Sequence, residues 1–135
     1  MMNEKLVQKV LIQNFEDIIV ARKVSKTLAV ELYFSILQQT KILTAVSEIA
    51  RNILVHAKEG AMNAYKIDSE KGKGLKFVFE DKGPGIQDIN KAVEKGFSTK
   101  KSFGLGLFAA KELSNSFAID SLPGKGVTVT LVFWS

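Results

Sequence analysis

The stretch GLKFVFEDKGPG, from Gly74 to Gly85, constrains the fold more than any other part of the chain. Leu75, Phe77 and Phe79 occupy alternate positions and share one face of a strand, and Asp81 comes next on that face where the strand ends. Two glycines and one of only two prolines follow. A buried strand therefore stops here, with a carboxylate on its core side. A plain Gly-Pro turn explains the glycines and the proline. The carboxylate asks for a further reason, as does a second glycine-rich element downstream, GLGL from Gly104 to Leu107.

With so few prolines, glycine marks most of the breaks. LVQKVLIQ (Leu6 to Gln13) is apolar and β-branched and predicts a first strand. Apolar residues at helical spacing, among them Ile18, Ala21, Leu28 and Leu32, predict a helix from Phe15 to about Phe34. A second helix is expected from about Leu37 to Ala57, with Ile42, Ala45, Val46, Ile49 and Ile53 on its apolar face and Gly60 beyond its end. AMNAYKID and GLKFVFED form two strands joined as a hairpin near SEKGKG. QDINKAVEKG reads as a short helix, FSTKKSF as a polar loop and LGLFAAKELSNSF as a third substantial helix. AIDSL and VTVTLVFW, joined through PGKG, close the chain as another hairpin. The order β-α-α-β-β-α-α-β-β predicts an α/β (α+β) two-layer sandwich. Its sheet is mixed but mostly antiparallel, helices cover one face, and residues 1–135 form one domain.

Composition narrows the function. The chain has 135 residues, 46% hydrophobic and 24% charged, which suits one soluble domain with a real core. No apolar run approaches the roughly 18 residues of a membrane span. MMNEKLVQKV has neither an apolar signal region nor a cleavage site. The absence of cysteine excludes disulfides, thiolate metal sites and cysteine nucleophiles, and fits a cytoplasmic protein. The net charge of +5 suits an anionic ligand or an acidic partner, or simply a solvated basic surface. Lys and Arg are scattered without a basic tract or interleaved aromatics, so nucleic acid is not the expected partner.

Three elements carry candidate chemistry. In SEIARN, Glu48 and Asn52 are four residues apart and lie on one helical face, which His56 extends. A carboxylate and an amide so placed can activate a nucleophile and ligate a hard cation such as Mg²⁺; they can equally be a solvated polar stripe. In DKGPGI, Asp81 can accept a hydrogen bond from an adenine amino group while Gly83 and Gly85 let the backbone come close. In GLGL, glycines at a helix start expose N–H groups at the positive end of the helix dipole, a phosphate site or a flexible helix entry. No Gly-Lys-Ser/Thr follows, so this is not a Walker loop.

Taken in order, these motifs resemble the Bergerat ATP-binding fold of the gyrase, Hsp90, histidine kinase and MutL (GHKL) superfamily. EDIIVARK, TAVSEIARNI, EDKGPGI, DINKAVEKGFST and GLGL resemble, across essentially the whole chain, the small bacterial serine/threonine kinases of the anti-sigma and stressosome switch group. That resemblance implies a kinase using ATP and Mg²⁺. Asn52 would ligate Mg²⁺, and Glu48 would be the general base toward a protein hydroxyl. Asp81, Gly83, Gly85 and Ile86 would form the adenine pocket. Gly104, Leu105 and Gly106, with Leu107 beside them, would contact phosphates through the backbone. Residues from about Gln87 to Phe103 would be the ATP lid, in which Lys100 or Lys101 either reaches a phosphate or is a solvated loop charge. Arg51 would face phosphate or a partner, or form a surface ion pair; His56 is expected to be structural.

Two departures stand out. KKSFGLG carries less glycine before the phosphate loop than the switch kinases usually do. Val127 stands where the superfamily usually has threonine, leaving a hydroxyl near adenine absent or supplied by Thr128. The resemblance implies a STAS-domain antagonist as substrate and a PP2C-type phosphatase as second partner, with an alternative sigma factor as the anti-sigma option. A histidine-kinase or gyrase-like role would need a phosphoacceptor helix pair or a lysine-bearing second domain, and neither is expected within these residues.

Overall fold

A computed structural model of the chain describes residues 2–83, 101–121 and 124–135. Its elements are β1 (Asn3–Ile12), α1 (Phe15–Glu31), α2 (Ile36–His56), β2 (Gly60–Ser69), β3 (Gly72–Asp81), α3 (Lys101–Leu113), β4 (Ser116–Ser121) and β5 (Val127–Trp134). The strands form one sheet in the order β1-β2-β3-β5-β4, and every pairing is antiparallel. The short helix expected at 87–96 lies outside the described residues.

Local chemistry sets the helix boundaries. Asn14 caps α1, its side chain accepting from the Asp17 N–H at 3.1 Å while Asp17 accepts back from the Asn14 N–H at 3.2 Å. Ser35 and Gln38 form the same reciprocal box at the start of α2, at 3.1 and 2.9 Å. Each box satisfies donors that a helix start leaves unpaired. β2 and β3 join through a two-residue loop between Ser69 and Gly72, whose φ is +107°. The hairpin expected near SEKGKG forms at this turn.

Strand alternation decides what is buried. Met62 and Ala64 of β2, Leu75, Phe77 and Phe79 of β3, and Val129, Leu131 and Phe133 of β5 all enter the core. Ile42, Ala45, Val46, Ile49 and Ile53 of α2 pack onto them, with α1 and α3 on either side of α2. The other sheet face carries polar pairs, Asn63 to Glu80 at 3.0 Å and Lys76 to Glu4 at 2.9 Å. The result is the two-layer sandwich predicted from the element order.

Several boundaries differ from expectation, most of all at α1 and α3. α1 stops at Glu31 rather than Phe34, because the chain there closes into a left-handed C-terminal turn. α3 begins at Lys101 rather than after Gly104, and ends at Leu113 so that Phe117 can pair with Leu131 in the sheet. Glycine inside a helix costs only about 1 kcal/mol, less than the gain from seating Leu107 and Ala110, 1% and 0% exposed. No helix among the described residues is long and apolar enough to cross a membrane.

Phe77 is fully buried and meets the Phe133 ring edge-on at 6.1 Å. Phe77→Ala is expected to cost about 3–5 kcal/mol in unfolding free energy, measurable as a lower urea midpoint at unchanged slope.

Candidate functional site

α2 is held against the sheet by its apolar stripe, and this sets where its polar residues fall. Glu48 and Asn52 emerge together at the seam with α3. The seam is tight because Gly106 of α3 sits directly over them. A Cβ there would lie 3.0 Å from Glu48 Oε2 and 3.2 Å from each amide atom of Asn52. Asn52 is only 7% exposed and its Nδ2 has no hydrogen-bond partner among the described residues. A buried donor without a partner is costly, so a solvated polar stripe does not describe this residue. Glu48 keeps 23% of its side-chain surface and offers Oε1 to Arg51 one turn on.

Asp81 ends β3 on the core side, as the alternation predicts. Its Oδ1 accepts from the Gly83 N–H at 2.9 Å and from the Val127 N–H at 3.2 Å. Burial raises its pKa above 3.8 and these two bonds pull it back, with burial the larger effect. Both bonds fall on Oδ1, and Asp81 also lines a cavity. Gly126, with φ +91°, makes the tie to Val127 feasible: it lies against the Asp81 carbonyl, where a side chain has no room.

Between α2 and the sheet lies a cavity lined by Ile49, Asn52, Ile53, His56, Phe79, Asp81, Leu107, Val127 and Val129, among others. It is an apolar slot with a carboxylate at one wall and an amide at another. That combination is of the kind that can orient a flat, largely apolar ligand through few polar contacts.

The structure brings Glu48, Asn52, Asp81, Gly106 and Leu107 into one region. Gly83 closes on α2, where an added Cβ would lie 2.6 Å from that of Ala57, so its small size also serves packing. Leu105 is 43% exposed and does not line the cavity. The expectation that Gly104, Leu105 and Gly106 open the helix is corrected. α3 starts at Lys101, so the N–H groups of Leu105 and Gly106 already belong to its hydrogen-bond ladder. Thr128 is a second correction. It lines a cleft on the opposite sheet face with Lys9 and Glu80, because side chains alternate and Val127 and Val129 take the cavity side. Gly85, Ile86 and Lys100, and with them most of the expected lid, lie outside the described residues. Sequence reasoning missed Ile49, Ile53, Val129 and Gly126 as site residues, whereas Val127, singled out there as a departure near adenine, does line the cavity. The apolar ones were legible as core, and the same alternation that marks Phe79 also marks Val129.

The chain matches the histidine kinase-, DNA gyrase B- and HSP90-like ATPase family over residues 37–135. The chain belongs to this family. It is 41% identical over 118 residues to the serine/threonine-protein kinase RsbT of Bacillus subtilis (strain 168), spanning 87% of this chain and 89% of that protein. It is 30% identical over 115 residues to the anti-sigma F factor of Thermoanaerobacter sp. (strain X514), spanning 82% and 80%. An anti-sigma F factor of Caldanaerobacter subterraneus is 29% identical over 119 residues, again spanning 82% and 80%.

Because burial raises the Asp81 pKa, the folded state holds the proton more tightly than the unfolded chain. Stability then falls as pH rises from 3.8 through the raised value. Asp81→Asn removes the buried charge and keeps an oxygen for Gly83 and Val127. The ligand-free variant is expected to melt higher than the parent at pH 7. The gap should close as the pH is lowered toward 4, which calorimetric melts across that range would show.

Proposed function

We propose that this chain is an ATP-dependent protein-serine/threonine kinase acting as a partner switch in bacterial stress signalling. It transfers the γ-phosphate of ATP to a Ser or Thr of a STAS-domain antagonist and, once released from that antagonist, activates a PP2C-type phosphatase. The observation that carries this reading is Asn52. Its buried amide, with an unpartnered Nδ2, stands beside Glu48 at the edge of the Asp81 cavity. Membership of the ATPase family and the similarity to a serine/threonine kinase support the activity.

The residues fit the nucleotide. Ile49, Ile53, Leu107, Val127 and Val129 offer apolar walls to a purine, and Asp81 Oδ2 would accept from its exocyclic amino group. Asp81→Asn would turn a donor toward that amino group and lose the discrimination. Asn52 would ligate Mg²⁺ through Oδ1, leaving Nδ2 free to donate to a phosphate oxygen. Among the described residues no group of three or more His, Asp or Glu could hold a metal, so the nucleotide would complete the shell, as is usual for Mg²⁺. When bound, the ion would offset charge on the phosphate oxygens. The first turn of α3 would donate N–H groups to the same oxygens, with Lys100 or Lys101 adding charge. Gly85 and Ile86 would complete the adenine pocket. Glu48 would take the substrate hydroxyl proton on Oε2, the oxygen that Arg51 does not engage.

A second reading rests on the anti-sigma F factor similarity. In it the chain is an anti-sigma factor kinase, or a nucleotide-gated switch with little catalysis, that holds an alternative sigma factor. Purified protein, Mg²⁺ and γ-labelled ATP, mixed with STAS-domain proteins of the same genome, should label a Ser or Thr. ATP binding and sigma-factor capture without label would instead favour the second reading. Glu48→Ala is expected to cut transfer by at least about 100-fold while ATP affinity changes little. Undiminished transfer in that variant would remove Glu48 from its assigned role.

A further inference from the structure

The carboxylate of Glu48 is divided between two surroundings. Its Oε1 accepts from Arg51 Nη2 at 2.5 Å, one turn further along α2. Its Oε2 faces the seam with α3: the place a Cβ on Gly106 would take is 3.0 Å from Oε2 and 3.2 Å from each amide atom of Asn52. Among the described residues the contact with Arg51 is the one hydrogen bond and the one ion pair that Glu48 makes. Arg22, the arginine that α1 extends toward this part of α2, is committed to Ser47 Oγ at 2.6 Å.

Helix geometry makes this contact a fixed one. Residues three apart are neighbours on a helix, and this stretch of α2 is pinned from behind by Ile49 and Ile53, 2% and 3% exposed. A glutamate with no partner samples several rotamers, and that freedom is lost when it is put to work. A guanidinium presents its donors in a rigid planar fork, unlike the mobile ammonium of lysine. With Oε1 held, Oε2 is left in one place, beside Asn52. The fold does not need the pair: the Arg51 side chain is 45% exposed, and ion pairs so open contribute little to stability. A general base, by contrast, has to bring its oxygen within hydrogen-bond reach of the proton it takes, and a small misplacement there is costly to the rate.

We propose that Arg51 is a positioning residue for phosphoryl transfer: by holding Oε1 it aims Oε2 of Glu48 at the attacking hydroxyl. In the step itself the hydroxyl proton passes to Oε2. The hydroxyl oxygen bonds to the γ-phosphorus, and the bond from that phosphorus to the bridging oxygen breaks, its electron pair leaving with ADP. Arg51 touches none of the reacting atoms and acts through Glu48 alone. This deepens the kinase reading and rests on Glu48 being its base.

The test is a double-mutant cycle on the full chain: wild type, Arg51→Ala, Glu48→Ala and the double variant, with Arg51→Lys as the conservative control. Each is measured for melting temperature, for affinity toward a non-hydrolysable ATP analogue, and for kcat and KM of phosphate transfer to the STAS-domain protein. Arg51→Ala should lower kcat by about tenfold or more while KM and analogue affinity stay within about twofold. Its melting temperature should stay close to that of the wild type. Arg51→Lys should recover part of kcat. In the Glu48→Ala background, Arg51→Ala should change kcat by less than about twofold, since no carboxylate is left to aim. If Arg51→Ala does not fold, Arg51→Gln replaces it in the cycle. Unchanged kcat in Arg51→Ala overturns the proposal. An equal loss in both backgrounds also overturns it, because the arginine then acts on the phosphates or the partner directly, and so does a rise in KM alone. These three outcomes leave the kinase reading intact. A wild type that labels no protein overturns both, and transfer that survives Glu48→Ala overturns the base and its positioning residue together.

Discussion

The burial of one side of α2 against the sheet governs the rest of the molecule. Ile42, Val46, Ile49 and Ile53 are between 0% and 3% exposed. Each such side chain contributes roughly 1.5–3 kcal/mol, whereas a half-exposed ion pair like that of Glu48 and Arg51 contributes at most about 1 kcal/mol. The rotation of α2 about its axis is therefore decided by the core, and the polar residues take whatever places remain. Those places are the seam with α3. There Gly106 brings the second helix close enough to strip Asn52 of water without supplying a partner for its amide. The same packing that stabilises the fold thus leaves the Asn52 Nδ2 without a partner among the described residues, at a point where a ligand could supply one.

Asp81 shows the same compromise at the sheet. A carboxylate in a partly buried place raises the free energy of its own charged form, and two backbone N–H groups only partly offset this. An amide would satisfy the same donors at less cost. As a ligand acceptor, a carboxylate would differ from an amide in presenting only acceptor oxygens, and so would reject ligands that cannot donate. Val127, which supplies one of the two N–H groups, also gives its side chain to the cavity. Holding the carboxylate and shaping the slot are thus one feature of the β3 and β5 ends. Its dependence on the positive φ of Gly126 explains why glycine precedes the strand.

Much of this was legible in the sequence wherever periodicity and chemistry coincide. The two-residue repeat from Leu75 to Phe79 carries Asp81 to the core side, and the four-residue step from Glu48 to Asn52 puts both on one helical face. That step alone could not separate a solvated stripe from a desolvated site. The difference is made by α3, which is distant in sequence and touches α2 through a residue with no side chain. Thr128 was misplaced when a motif position was weighed above the strand alternation, which puts Val127 and Val129 on the cavity side. The start of α3 was misread because glycines were taken as a helix boundary. Helical propensity is a weak prior, and the burial of Leu107 and Ala110 overrides it. The family likeness was carried by motif order, which no single-residue argument supplies.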